Sequence, residues 1–376
     1  MERRYGSVPY TPYNWNSFEY FSDLVSQLDH ASSPGIPYMT ANPTIGGWLG
    51  WDGKNYDPVK LQLLWHDTQL VLQGKYNHYF RVFVKDEPHS LKKASTRRWR
   101  LIYAASLPVQ MAWRMAFSHQ NENLNARPYE TPSGHGLVFC YGGWRRFKHH
   151  AKSLGLKISR DISAWDVNAP GWIIDAVMNL RLRWGGPPEW ERVVKLLYDD
   201  AFSHAKLAFS NGMVVQQAFR GFQKSGLFST IADNSLHMGI LHLAACFYSN
   251  NSFTNWCATG DDVLQECIDP AYIQAVHSMG VTIKEYEPVL NFMGTSFQTE
   301  PKPLYLAKHI ANYSCADKQR AEMLDAYGRY YSHSPFFKFW QVLSQVAKSP
   351  IRSQLYYQFW FDSPLAREIN RGVNWQ

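Results

Sequence analysis

The chain has 376 residues, long enough for a large core or several packed lobes and too long for one minimal domain. Its 22 Tyr, 21 Phe and 15 Trp within 45% hydrophobic residues fit a folded protein with broad mixed surfaces and exclude a disordered one. A net charge of +7 suits a polyanionic partner without identifying it.

The first 50 or so residues are rich in turn formers, including Pro34, Gly35, Pro37 and Gly46-Gly47, interrupted by one helical stretch, SFEYFSDLVSQL. KLQLLWHDTQLVLQ predicts a helix and YFRVFVKDE a strand. Basic residues then concentrate: Lys85, Lys92, Lys93, Arg97, Arg98 and Arg100 face only Asp86 and Glu87. LIYAASLPVQMAWRMAF reads as a strand followed by an apolar helix, and LGLKISRDISAWD as a short strand running into a turn. GWIIDAVMNLRLRW and WERVVKLLYDDAFS are helical, divided by Pro187-Pro188, and KLAFSNGMVVQQAF is a hairpin about Asn211-Gly212. KSGLFSTIADNSLHMGILHLAACFYS reads as one long helix begun at Ser225 or just after it. NWCATGDDVLQEC is a pair of strands about Gly260-Asp261, and DPAYIQAVHSMG a helix with Pro270 in its first turn and Gly280 at its end. Strands TIKEY and TSFQTE follow, and then a mostly helical tail through CADKQRAEMLDAYGRYY and PFFKFWQVLSQVAKSP. The expected form is α+β: a sheet with helices on one side, wrapped by an N-terminal lobe and a helical C-terminal lobe.

Cysteines at 140, 246, 257, 267 and 315 are odd in number and lack metal-ligand spacing, which points to a reducing, intracellular setting. Neither a signal sequence nor an apolar run long enough to span a bilayer is present.

The most informative residues are carboxylates. Asp161 ends the strand-like LKIS, and the following turn can carry Asp166 back to the same cleft, whereas on a straight strand the two would face opposite sides. Gly260 permits a tight hairpin with Asp261 at its tip and Asp262 beside it. Antiparallel pairing of the two segments brings Asp161 and Asp261 together, as needed to bridge two Mg²⁺ ions about 4 Å apart, with Asp262 as a ligand or an orienting group. Such a site lowers the pKa of an attacking 3′-hydroxyl and stabilises departing pyrophosphate.

Other residues fit a nucleotide around that centre. On a helix Thr230 and Asn234 are i and i+4; Asn234 can donate to a 2′-hydroxyl and Asp166 accept from it, the chemistry of ribose selection. Ser225-Gly226 is a permissive backbone joint that can approach template or primer. The basic stretch forms a triphosphate channel, with Lys85 and either Arg98 or Arg100 facing inward; alternation leaves that choice open. Lys284 can protonate pyrophosphate as a general acid, and Lys308 can contact the nascent strand. A reverse transcriptase, a terminal nucleotidyltransferase and an inactive RNA-binding scaffold are the rival readings.

The motifs resemble those of a viral RNA-dependent RNA polymerase of a positive-strand RNA virus, similar to the sobemovirus and polerovirus group. FVKDEPHSLKKASTRRWRLIYAASLPVQ resembles the basic fingers motif, KISRDISAWD the first palm motif, GFQKSGLFSTIADNS the second and CATGDDVL the third. VTIKEYEP and NFMGTSFQTEPKPLYLAKHIANY resemble the fourth and fifth, and SSPGIPY the template- and primer-side motif containing Ser33 and Gly35.

The resemblance implies a closed right hand: fingers over residues 1–155 with an insertion at 185–218, palm at 156–184 and 219–302, and a small helical thumb at 303–376. It implies metal ligation by Asp161, Asp261 and Asp262, and a general acid at Lys284. Asp166, Thr230 and Asn234 match the sugar-selecting network, and Lys85, Lys92, Lys93, Arg98 and Arg100 the phosphate-binding stretch. Ser225 and Gly226 match a loop that moves on translocation. Two Mg²⁺, which Mn²⁺ can replace, are the implied cofactors. The implied partners are template and nascent RNA, NTPs, and a genome-linked primer protein or other viral replication proteins. The implied setting is the host cytoplasm, peripheral to membrane-associated replication complexes.

Overall fold

The structure is a computed structural model that describes residues 1–316 and 318–370. Its strands are β1 (Phe80–Val84), β2 (Leu101–Ala104), β3 (Ile158–Ile162), β4 (Lys206–Phe209), β5 (Val214–Gln216), β6 (Trp256–Thr259), β7 (Asp262–Gln265), β8 (Ile283–Glu287), β9 (Asn291–Phe292), β10 (Thr295–Ser296) and β11 (Lys302–Pro303). They form three sheets where the sequence predicts one. A central antiparallel sheet has the order β6–β7–β3–β8; a mixed sheet has the order β2–β1–β4–β5, with β1 and β4 parallel; and β9, β10 and β11 form a small third sheet.

Period-two patterning explains the central sheet. On β3, Ile158, Arg160 and Ile162 are buried while Ser159 and Asp161 are half-exposed, so one face meets the helices and the other the cleft. Helix Thr230–Tyr248 packs on β6 and on helices Gly171–Trp184 and Pro270–Ser278. Asp269 caps the last of these by accepting from Tyr272 N, with Pro270 in the first turn. Arg160 falls on the helix side, where its guanidinium reaches the Tyr272 hydroxyl at 3.1 Å.

The long helix starts at Thr230, with Ser229 at its N-cap, and the predicted start at Ser225 is therefore corrected. Gly226 instead pairs with Ala104 in a parallel bridge, where a Cβ would meet Tyr103 O at 2.4 Å. Backbone contact with β2 holds Gly226 in this bridge, and a turn at Phe228–Ser229 separates it from the helix. The strand predicted over TSFQTE is confined to Thr295–Ser296.

Helix Gly143–Ser153 is an additional element, burying Trp144, Phe147 and Ala151 in a second core with Phe292, Phe297 and Phe361. It also anchors the C-terminal lobe: Asp362 accepts from Trp144 Nε1 at 2.8 Å and pairs with Arg145 at 3.0 Å. That lobe comprises helices Leu306–Cys315, Arg320–Tyr330, Phe337–Val346, Gln354–Asp362 and Pro364–Asn370 around Tyr313, Leu324, Tyr331 and Trp340. Asp317, within the predicted helical run CADKQRAEMLDAYGRYY, and residues 371–376 of the expected thumb lie outside the described residues. Among the described residues no helix is long and apolar enough to cross a membrane.

Candidate active site

The β3–β7 ladder pairs Ile158 with Gln265, Ser159 with Leu264 and Arg160 with Val263, so Asp161 and Asp262 are the next residues at its open end. Between β7 and β6, Gly260 takes φ +63, and its N–H donates to Ser235 Oγ at 2.9 Å. A Cβ there would meet nothing within 4 Å, so the turn needs glycine for its backbone shape and not for space. Ser235, on the long helix, thus holds the tip that carries Asp261.

On the other side of β3, Asp161 pairs with Glu285 and Ile162 with Ile283. The register skips Lys284, and such a bulge re-aims a side chain. Lys284 Nζ lies 2.5 Å from Asp161 Oδ2 and 2.9 Å from Glu285 Oε1. These bonds, led by the one Lys284 donates to Asp161, raise the ammonium's pKa and keep it protonated.

The acidic end is electrostatically tense. Burial pushes the Asp262 carboxyl up to about 6, with Asp261 and Asp161 adding to the rise against a hydrogen bond from the Met293 backbone. That bond, Met293 N to Asp262 Oδ2, measures 2.6 Å and fixes the side chain. Burial likewise raises Asp261; Asp161 adds to this, while the residue's own backbone N–H and Arg100 oppose it. Asp166 is pushed up to about 6 by burial and then by Asp261, with Arg100 and Lys85 pulling the other way. Asp166, Asp261, Arg100 and Lys85 therefore share one region. Among the described residues no three His, Cys, Asp or Glu side chains form a ready-made metal cage.

Asn234 is buried. Its Oδ1 accepts from Trp165 Nε1 at 3.0 Å and contacts His237 Nδ1 at 3.3 Å. An indole can only donate, so this bond fixes the amide and leaves Nδ2 as the group free to donate elsewhere. The Thr230 hydroxyl lies 2.7 and 2.8 Å from the Lys224 and Leu227 carbonyls, committing it to the preceding loop. Ser225 Oγ accepts from Tyr103 N at 3.4 Å. Ser33 Oγ accepts from Gly35 N at 3.3 Å, and Gly35, at φ +71, lies against Ala105 and Ser106.

Of the basic stretch, Lys85 and Arg100 approach the carboxylates, whereas Lys92, Lys93 and Arg98 are exposed and form no ion pair among the described residues. Of Arg98 and Arg100, Arg100 is the one whose charge acts on Asp166 and Asp261. Lys308 reaches back to Glu87 at 3.1 Å. Sequence reasoning missed Glu87, Trp165, His237, Ser235 and Met293, all of which hold neighbouring groups in place. Only Trp165, beside Asp166 in the first palm motif, carried a local signal.

A family model described as viral RNA-dependent RNA polymerase matches residues 15–303. "Protein P2-P3" of Poinsettia latent virus is 28% identical over 316 residues, covering 76% of this chain and 28% of that protein. "Replicase polyprotein P2AB" of Southern cowpea mosaic virus is 31% identical over 230 residues, covering 59% of this chain and 23% of that protein. The matched regions thus span about a quarter of these relatives' length. The solved "Sicinivirus 3Dpol RNA dependent RNA polymerase" shares the fold with a TM-score of 0.72 at 19% identity, over 90% of this chain and 78% of its own. With this match across most of its length, the chain belongs to the viral RNA-dependent RNA polymerase family, related to the replicases of sobemo- and polero-like plant viruses.

Proposed function

We propose that the chain adds ribonucleoside monophosphates, directed by an RNA template, to an RNA 3′-hydroxyl with release of pyrophosphate, and so copies a viral RNA genome. The observation that carries this reading is the meeting of Asp161 at the end of β3 with Asp261 and Asp262 at the β6–β7 turn, beside Lys284, Lys85 and Arg100.

The donor set fits a hard divalent cation. It offers carboxylate oxygens alone, and burial together with mutual repulsion raises Asp261 and Asp262, a strain that a cation relieves. Asp161 and Asp261 would hold two Mg²⁺ or Mn²⁺ ions, with Asp262 turned by its Met293 bond into a supporting position. Mg²⁺ usually keeps waters and takes further oxygens from substrate phosphates, so it needs few protein carboxylates. When bound, the ions activate the 3′-hydroxyl and neutralise charge developing on the leaving group.

The chain's own groups supply the rest. Lys85 and Arg100 neutralise the triphosphate, with the exposed Lys92, Lys93 and Arg98 guiding its approach. Asn234 Nδ2 donates to the 2′-hydroxyl and Asp166 accepts from it, while Thr230 fixes the loop carrying Ser225 and Gly226 beside the primer. Lys284, kept protonated by Asp161 and Glu285, delivers a proton to pyrophosphate. Ser33 and Gly35 line the template side.

We assign fingers to 1–155 and 185–218, palm to 156–184 and 219–302, and thumb to 303–376. Template RNA, nascent RNA and NTPs are the proposed ligands. A genome-linked primer protein is a proposed partner, and membrane-associated complexes in the host cytoplasm are the proposed setting. Incorporation of labelled NTPs on a defined RNA, with template omitted in parallel, tests the reading. Template-independent product, or dNTPs used as readily as NTPs, would overturn it.

A further inference from the structure

Glu87 lies beneath three cations drawn from two distant segments. Its Oε1 is 3.2 Å from Arg100 Nη1, and its Oε2 is 3.1 Å from Lys308 Nζ and 3.4 Å from Lys85 Nζ. The Glu87 side chain is only 13% exposed, against 38% for Lys85, 54% for Arg100 and 42% for Lys308. The carboxylate is thus a floor, and the cations above it keep donors facing solvent. One negative charge among three positive ones leaves a surplus that still attracts an anion. Burial works to raise the Glu87 carboxyl, but Lys308, Lys85 and Arg100 outweigh it and bring it down to about 2, so it is ionised at any working pH.

The location is specific. Lys85 N donates to Arg100 O at 2.8 Å, extending the β1–β2 pairing beyond the strands and setting the two side chains at one end of the hairpin. Lys85 and Arg100 both act on Asp166, and Arg100 also on Asp261. Lys308 comes from helix Leu306–Cys315, far along the chain, and its Nζ donates to Glu87 Oε2. Three cations on long flexible stems repel one another and pay conformational entropy to converge; a fixed, poorly solvated carboxylate opposes both effects.

We propose that Glu87 is a positioning residue that gathers Lys85, Arg100 and Lys308 into one triphosphate-binding site, so that Lys308 serves the incoming nucleotide in place of the product strand. This rests on the polymerase reading above, but its test needs no catalysis.

Inorganic tripolyphosphate is titrated calorimetrically into the purified full chain, and RNA duplex binding is measured on the same preparations. Glu87→Gln is expected to weaken tripolyphosphate binding about fivefold, and Glu87→Asp to restore part of the loss. Lys308→Gln, at an exposed position where folding is not at stake, is expected to weaken it similarly, to add little on top of Glu87→Gln, and to leave duplex affinity unchanged. Unchanged or tighter tripolyphosphate binding in Glu87→Gln overturns the proposal. So does a Lys308→Gln effect confined to duplex RNA, or a wild-type chain that binds no tripolyphosphate. Failure of the wild type to extend RNA would instead count against the polymerase reading itself.

Discussion

Trp165 Nε1 donates to Asn234 Oδ1 at 3.0 Å, so the residue preceding Asp166 sets which way the Asn234 amide points. Ribose recognition on this account needs Nδ2 directed outward as a donor, and the indole enforces that orientation. Trp165→Phe keeps an aromatic ring and removes the donor. Preference for NTPs over 2′-dNTPs is predicted to fall about tenfold, the worth of one modest hydrogen bond, as measured by competing kcat/KM values. An unchanged ratio would show that the amide is held by other means.

Lys284 is expected to act on the chemical step. Lys284→Gln removes the proton source beside Asp161 and is predicted to lower kcat about a hundredfold with little change in the KM for NTP. Lys284→Arg, which keeps the ion pair but holds its proton more tightly, is predicted to recover only part of the rate. A change in KM alone would argue for a binding role.

Two glycines separate steric from conformational need. Gly226→Ala places a methyl 2.4 Å from Tyr103 O and 2.9 Å from Ala104 Cα, both backbone atoms that cannot swing aside. A loss of about 2 kcal/mol or more in stability, or a displaced loop, is predicted. Gly260→Ala meets no neighbour but keeps φ +63, so a cost of about 1 kcal/mol is predicted. Chemical denaturation of both variants checks the order, and a larger loss for Gly260→Ala contradicts it.

Acid sensitivity of the fold follows from two histidines. Burial holds His237 and His242 down at about 3, neighbouring Arg181 and Arg160 respectively adding to it, so both are neutral when folded. Unfolded histidine protonates near pH 6.5; their contribution is therefore intact above that pH and declines as pH falls toward 3. Each is predicted to steepen the loss by up to about 1.4 kcal/mol per pH unit within that window. His242→Gln should flatten the slope of unfolding free energy between pH 6 and 4, and an unaltered slope would refute the assignment.

Features encoded by neighbours in the chain were legible from it. The strand-like run before Asp161 and the turn at Gly260 led to the hairpin and to Asp161 and Asp261 at one end of the sheet, and Pro270 to the start of the following helix. Helix Gly143–Ser153 was missed although Trp144, Phe147 and Ala151 mark a face, because Arg, Lys and His dominate the segment. The late helix start and the roles of Glu87, Ser235 and Met293 were hidden for another reason. Each depends on an approach between distant segments: Gly226 on β2, Lys308 on Glu87, Gly260 on Ser235 and Asp262 on Met293. Local pattern holds no record of such meetings.

The central claim concerns the carboxylates at the β3 and β6–β7 ends. Its most direct test is extension of a primed, defined RNA by the wild-type chain, Asp161→Asn and Asp261→Asn with Mg²⁺ and NTPs, after circular dichroism has shown that all three fold. Template-dependent product from the wild type and a drop of at least about a thousandfold in each variant are predicted. Equal Mg²⁺-dependent product from all three would contradict the account.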